Sequence, residues 1–204
     1  MIPLGILAAA DRSTAVPPPA GSTFDPALKG ASIALSNGNL DATKAGSGYQ
    51  TVYTTQGRSA GVYAFEMLMP VRPSLSAAMV GIADKTNSGS VIGTYLGTSY
   101  VETLGLNDDS GSFVSGRIYR RMTVGNTSGG GTSRYEENDV VTVKVDFGVN
   151  QLTGYVNGVQ MANLPIAVTS GKTYYPAASL QNGVVIRFRP TGLTYLPAGA
   201  TEWG

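Results

Sequence analysis

The stretch Val140-Val-Thr-Val-Lys-Val-Asp-Phe147, continued through Gly148-Val-Asn150 into Gln151-Leu-Thr-Gly-Tyr-Val-Asn-Gly158, decides the fold. Val141, Val143, Val145 and Phe147 alternate with Thr142, Lys144 and Asp146, a period of two that belongs to a strand buried on one face and wet on the other. Asn157-Gly158 can supply both positive φ angles of a type I′ turn, so residues 151–156 and 159–161 read as a hairpin. Working outward, Val184, Ile186 and Phe188 alternate with Val185, Arg187 and Arg189. Residues 32–35, 63–69, 78–83, 100–104, 117–123 and 175–180 are further candidate strands, separated by Gly, Asn, Asp and Ser. No amphipathic helix of useful length interrupts them. The Gly129-Gly130-Gly131 run reads as a loop, because strands continue on both sides of it. The expected class is an all-β antiparallel sandwich.

Composition agrees with that reading and removes much chemistry. With 27 Gly and 11 Pro among 204 residues and only 13% charged side chains, the chain is too turn-rich for a helical bundle. It has no Cys and no His, which excludes disulfides, thiol nucleophiles, Cys/His zinc sites and any relay that uses histidine as base. A net charge of +1 gives no electrostatic footprint for nucleic acid or an anionic membrane surface. No stretch reaches the roughly 18–20 apolar residues that cross a bilayer, and the chain is read as soluble with no membrane insertion.

Residues 1–22 read as an extended arm. Its tip, Met1-Ile-Pro-Leu-Gly-Ile-Leu-Ala-Ala-Ala10, is apolar but lacks the basic start of a secretory leader, and Val16-Pro-Pro-Pro-Ala20 favours a stiff polyproline conformation without internal hydrogen bonds. Such a segment has little to pack on within itself, so a neighbouring subunit is the expected partner of Ile2, Leu4, Ile6 and Leu7. Residues 23–190 form the expected sandwich, and residues 191–204, with Pro197 and Trp203, a C-terminal strap.

Phe24-Asp-Pro-Ala-Leu-Lys-Gly-Ala-Ser-Ile-Ala-Leu-Ser-Asn-Gly-Asn-Leu40 resembles the opening of the SPRY domains of bacteriophage and prophage proteins. Gly57-Arg-Ser-Ala-Gly-Val-Tyr-Ala-Phe-Glu66 resembles that family's strand ending in Phe-Glu, Met79-Val-Gly-Ile-Ala83 its Val-Gly strand, and Tyr174-Tyr-Pro-Ala-Ala-Ser-Leu180 a late strand. The opening stretch, Asn138 to Gly158, is similar to the family's most recognisable segment. The sequence departs from the family where a tryptophan of the Phe-Glu strand is replaced by Tyr63-Ala64, and residues 85–136 match only loosely. The resemblance implies a bent concanavalin-like sandwich that binds other proteins through loops at one end and has no catalytic residues. The apolar start also resembles that of some tailed-phage virion proteins.

Concanavalin-like sandwiches include glycosidases, which need two carboxylates flanking the scissile bond. Only Glu137 and Asp139 have the two-residue spacing of strand neighbours on one face, and Asp139 stands where turn-capping carboxylates are ordinary. Asn107-Asp-Asp-Ser-Gly111 gathers oxygen ligands but lacks the downstream glutamate of a calcium loop, so no metal and no cofactor are expected. The concentrated basic and aromatic chemistry is Arg117, Tyr119 and Arg121, sharing one strand face, with Tyr135 beyond the glycine run and Tyr95, Tyr100 and Phe113 as apolar support. Together these form the expected partner-binding set. The expectation is therefore a non-enzymatic bacteriophage virion protein, tail-associated, joined to other virion proteins and to copies of itself through the arm. The sandwich would present a site for a host-surface protein or glycan. A capsid-decorating or head-fibre protein, a carbohydrate-binding module with or without weak glycosidase activity, and a cellular SPRY adaptor are the alternatives.

Overall fold

The computed structural model describes residues 21–73, 78–97, 102–107, 135–161 and 164–204, together with the backbone of 118–122 and 125–129. In chain order the strands are β1 (Phe24–Lys29), β2 (Ile33–Ser36), β3 (Asp41–Lys44), β4 (Gln50–Thr54), β5 (Val62–Val71), β6 (Ala78–Ala83), β7 (Thr103–Asn107) and β8 (Ile118–Met122). They continue as β9 (Gly125–Gly129), β10 (Val140–Asp146), β11 (Gln151–Val156), β12 (Val159–Gln160), β13 (Ile166–Ala167), β14 (Tyr175–Leu180), β15 (Val185–Arg189) and β16 (Thr201–Glu202). One short helix, α1 (Ser88–Val91), lies between β6 and β7.

The strands form two sheets. One has the order β1-β4-β14-β6-β7-β8-β9, and the other runs β12-β11-β10-β5-β15-β3-β2 with β13 beside β11 and β16 beside β5. Every pairing is antiparallel except that of β16 with β5. The alternation that decided the fold sets the register: Val141, Val143 and Val145 on β10 stand opposite Met67, Phe65 and Tyr63 on β5. Their inward side chains meet Val80 and Ile82 of β6, Leu104 and Leu106 of β7 and Ala178 and Leu180 of β14 in one buried cluster. At Asn157-Gly158 both φ angles are positive, 49° and 80°, as the turn between β11 and β12 requires.

Two expectations change at the C-terminal end and in the middle of the chain. Trp203, expected in a strap outside the sandwich, is fully buried in its core, with its ring 5.4 Å from Phe65 at 90° and 5.9 Å from Tyr63. The chain leaves β15 at Pro190 and returns as β16 in the lane beside Tyr63 and Ala64, so Trp203 stands beside the very residues that replace the family's strand tryptophan. Of the strand expected at 100–104, residues 100 and 101 lie outside the described residues; the described strand is β7, which runs on to Asn107, with Glu102 at a φ of 67° just before it.

Candidate partner-binding face

At one end of the seven-stranded sheet, β6 does not turn directly into β7: Ala83 and Thr103 are paired, and the described residues between them, 84–97 and 102, stand outside the ladder. Their described part is bound to the sheet's outer face. Asp84 starts the excursion by accepting hydrogen bonds from the Thr86 amide (3.1 Å) and hydroxyl (2.5 Å), a side-chain turn that leads into α1. Thr51 and Ser179, on neighbouring strands β4 and β14, form a hydrogen-bond chain under its far limb. The Leu96 amide donates to Ser179 Oγ (3.1 Å), Ser179 Oγ lies 2.7 Å from Thr51 Oγ1, and Thr51 Oγ1 donates to the Thr94 carbonyl (2.8 Å). Each hydroxyl has one proton, so Thr51 spends its own on Thr94 and the Ser179 proton must go to Thr51. Gly97 closes the limb by donating to Thr103 Oγ1 at 2.9 Å. Tyr53, Ala83, Val91, Leu96 and Ala177 bury a second small apolar cluster beneath it, and the half-buried rings of Tyr49 and Tyr95 meet at the rim, 5.3 Å apart.

Around this excursion the charges are engaged with one another. Lys172 pairs with Asp84 at 3.5 Å, while Lys85 lies 3.7 Å from Asp25 and 4.1 Å from the centre of the Tyr175 ring. Glu102 is buried and accepts a 2.6 Å hydrogen bond from the Tyr174 hydroxyl, whose ring stacks on Phe147. Burial, then the hydrogen bond to Glu102 and its charge, push the Tyr174 phenol well above its ordinary range. Burial and the charge of Asp84 do the same to Tyr53. The result is a loop platform fastened to the sheet by buried hydroxyls and ringed by ion pairs.

The SPRY domain of human HERC1 has a TM-score of 0.62 to this chain at 14% identity, covering 83% of this chain and 99% of its own. This chain has the SPRY fold. The TRIM65 PSpry domain gives 0.61 at 15% identity over 82% of this chain and 91% of that one, and stonustoxin 0.57 at 16% identity over 82% and 27%. No family model matches the sequence, and no curated protein matches it either. At such identities what is shared is the fold, and the residues of the platform are this chain's own.

Within this SPRY fold the expected binding residues separate. β8 pairs with β7 so that Tyr119 stands opposite Gly105 and Arg121 opposite Thr103, next to the Leu96–Gly97 limb. Tyr95 sits on that limb. Tyr135 is a correction: it is fully buried in the main core, and its hydroxyl lies within hydrogen-bond distance of the carbonyls of Leu106 (2.6 Å) and Ala78 (3.2 Å), so it ties two strands together and faces no partner. Arg117, Tyr100 and Phe113 lie outside the described residues, as do Ile2, Leu4, Ile6 and Leu7 of the arm and residues 108–111 of the oxygen-rich loop.

The carboxylates raised as candidate catalytic groups have structural work. Asp139 accepts from the Glu136 amide (2.7 Å) and the Asn157 side chain (2.6 Å), which fixes the hairpin, and Glu137 accepts from the Arg72 amide (3.0 Å). Glu66, not among those candidates, is fully buried and accepts from Arg189 (2.9 Å) and from the amides of Thr194 (3.1 Å) and Tyr195 (2.6 Å), so it holds the strap down. Among the described residues no group of three or more acidic side chains could hold a metal ion. Sequence reasoning did not single out Asp84, Lys85, Glu102 or Tyr174. Nothing in their spacing marks them, because Asp84, Lys85 and Glu102 lie between β6 and β7 while Tyr174 stands just before β14, 72 residues beyond Glu102.

Proposed function

We propose that this chain is a non-catalytic binding module of a bacteriophage particle, tail-associated, that is anchored through residues 1–22 and recognises its partner with the platform of residues 84–102 and the adjoining strand β8. The observation that carries the binding reading is the excursion itself: a loop fastened to a rigid sheet by buried hydroxyls, beside lanes occupied by Tyr119 and Arg121. Aromatic and arginine side chains on a fixed scaffold are the usual anchors of protein interfaces. The virion reading rests on the arm's apolar tip and triple proline and on the resemblance of the sequence to phage SPRY proteins. The root of the arm fits an anchoring role, since the Thr23 carbonyl accepts from the Thr55 amide and so starts the sandwich beside the 55–61 loop.

A second reading, a glycan-binding module, is favoured by the half-buried Tyr49–Tyr95 pair, whose rings offer a stacking surface to a sugar. Attachment to particles, host envelope fractions and a glycan panel, measured for Tyr95→Ala, Arg117→Ala, Tyr119→Ala and Arg121→Ala beside melting curves, separates the readings. Removing a true anchor costs about 2 kcal/mol or more of binding with melting nearly unchanged. Retained binding in all four variants would remove this face from the account.

A further inference from the structure

The loop of residues 55–58 stands between the C-terminal strap and the base of the platform. On the strap side, Trp203 donates from Nε1 to the Gln56 carbonyl (3.0 Å) and accepts at its own carbonyl from Arg58 (2.7 Å). On the other side, Arg58 exchanges two backbone hydrogen bonds with Tyr174 (2.8 and 2.9 Å). The approach is close enough to need glycine at position 57, where a Cβ would stand 2.7 Å from Thr173 Cγ2 and from the Tyr175 ring. Residues 172–175 in turn hold both ends of the excursion. Tyr174 donates to Glu102 (2.6 Å) at one end, while at the other Lys172 pairs with Asp84 (3.5 Å) and Lys85 lies 4.1 Å from the centre of the Tyr175 ring. The two ends are joined directly as well, because the Asp84 amide donates to the Glu102 carbonyl (3.1 Å). A continuous series of contacts therefore runs from Trp203 through Arg58 and Tyr174 to the base of the platform.

We infer that the strap is a latch on the platform: residues 191–204, loop 55–58, residues 172–175 and the two ends of the excursion open and close as one unit. The element with two arrangements is the strap, docked or released. Its own hold is thin, since most of residues 191–200 is exposed and β16 contributes two residues to its ladder with β5. Segments of that kind open locally at a lower cost than the central ladders of a fold. With Trp203 seated, loop 55–58 is pinned against residues 172–175 and these keep Asp84, Lys85 and Glu102 in place. With it released, the backbone pair of Arg58 and Tyr174 loses its support, and the base of the platform loosens. The consequence for recognition rests on the reading of residues 84–102 as the partner-binding face. A partner that needs both ends of the excursion in place then stabilises the docked strap, and the docked strap favours the partner by the same factor, because coupling between two sites is reciprocal.

Native-state hydrogen exchange on the full chain tests the unit without any partner. The single tryptophan supplies one reporter, its Nε1–H, and the Asp84 amide supplies the other. Tyr174→Phe removes the hydrogen bond to Glu102 and should speed exchange of the Trp203 Nε1–H by roughly tenfold or more, the effect of losing a bond to a charged group. Trp203→Phe removes the bond to Gln56 and should speed exchange of the Asp84 amide several-fold. Ile33→Val, a mild core truncation on the edge strand β2, lowers the stability of the whole fold. It should speed the amides of the β10–β11 ladder and leave both reporters at their original rates. Two results would overturn the latch: each variant altering exchange only beside its own substitution, or Ile33→Val moving both reporters as much as the other two variants do. If the reporters respond as a unit while Tyr95→Ala, Tyr119→Ala and Arg121→Ala bind host envelope fractions as before, the latch stands and the recognition reading falls. If the reporters respond separately, the latch falls whatever those three variants do.

Discussion

Replacing Trp203 by alanine is the sharpest test of how this sandwich closes. The indole is fully buried, meets Phe65 edge-on at 5.4 Å and Tyr63 at 5.9 Å, and donates from Nε1 to the Gln56 carbonyl at 3.0 Å. Its own carbonyl accepts from Arg58 at 2.7 Å, and Arg58 lies over the Tyr63 ring. Truncating a buried Trp to Ala costs about 3–5 kcal/mol, because the transfer energy of the ring is lost and a cavity remains beside Phe65. At roughly 2–4 °C per kcal/mol for a chain of this size, melting should fall by about 6–20 °C. Trp203→Phe keeps part of the packing, loses the Nε1 hydrogen bond and should fall in between. Urea unfolding followed by circular dichroism measures both variants without relying on the single tryptophan as probe. A loss below about 1 kcal/mol for Trp203→Ala, the size expected at a surface position, would refute its place in the core.

Three further outcomes follow from the same contacts. Glu66→Ala removes the acceptor of Arg189 and of the Thr194 and Tyr195 amides. Arg189 keeps part of its side chain in solvent, so the cost is that of the lost hydrogen bonds to a buried carboxylate, about 1–3 kcal/mol, and the two amides should lose hydrogen-exchange protection; unchanged protection would mean that the strap is held by something else. Tyr135→Phe leaves the Leu106 and Ala78 carbonyls without that hydroxyl and should lower stability by about 1–3 kcal/mol while leaving partner binding as it was, whereas a binding defect at full stability would restore Tyr135 to the recognition set. Tyr53 and Tyr174 both have raised phenol pKa values. A raised pKa means that the folded state holds its proton longer than the unfolded state, so their contribution is complete below pH 10 and is lost as pH rises above it. In an alkaline absorbance titration these two should ionise only as the fold gives way; ionisation of all 11 tyrosines together in a chain with native dichroism would contradict this.

A period of two was legible only in strands with a wet face, whereas 78–83 and 175–180, also read as strands, are β6 and β14 and are buried almost throughout. β11 and β15 alternate cleanly and their burial follows the alternation, as does that of β10 from Val143 to Asp146, while Thr142, expected to face water, is buried. β4 escaped because Thr51, Val52, Tyr53 and Thr54 are all buried, Val52 towards the main core and Tyr53 beneath the excursion, which leaves no period of two to detect. β1 contains Pro26, which an edge strand tolerates but a sequence pattern discounts. Trp203 was placed outside the sandwich because thirteen turn-rich residues separate it from the last alternating strand, and only the parallel lane beside Tyr63 brings it back. Tyr135 looked like a partner of the arginines because it is close to them in sequence. Its hydroxyl instead bridges β6 and β7, a long-range relation that local composition does not carry.

The central claim is that the sandwich is a self-sufficient binding module and residues 1–22 its attachment. Deleting residues 2–20 from the full chain and measuring both cooperative unfolding and incorporation into particles tests it most directly. The core of the described residues is built from Phe24 onward, so the truncated chain should unfold in one transition near that of the full chain and fail to join particles. A truncated chain that cannot fold, or one that folds and still joins particles at the level of the full chain, would contradict the account.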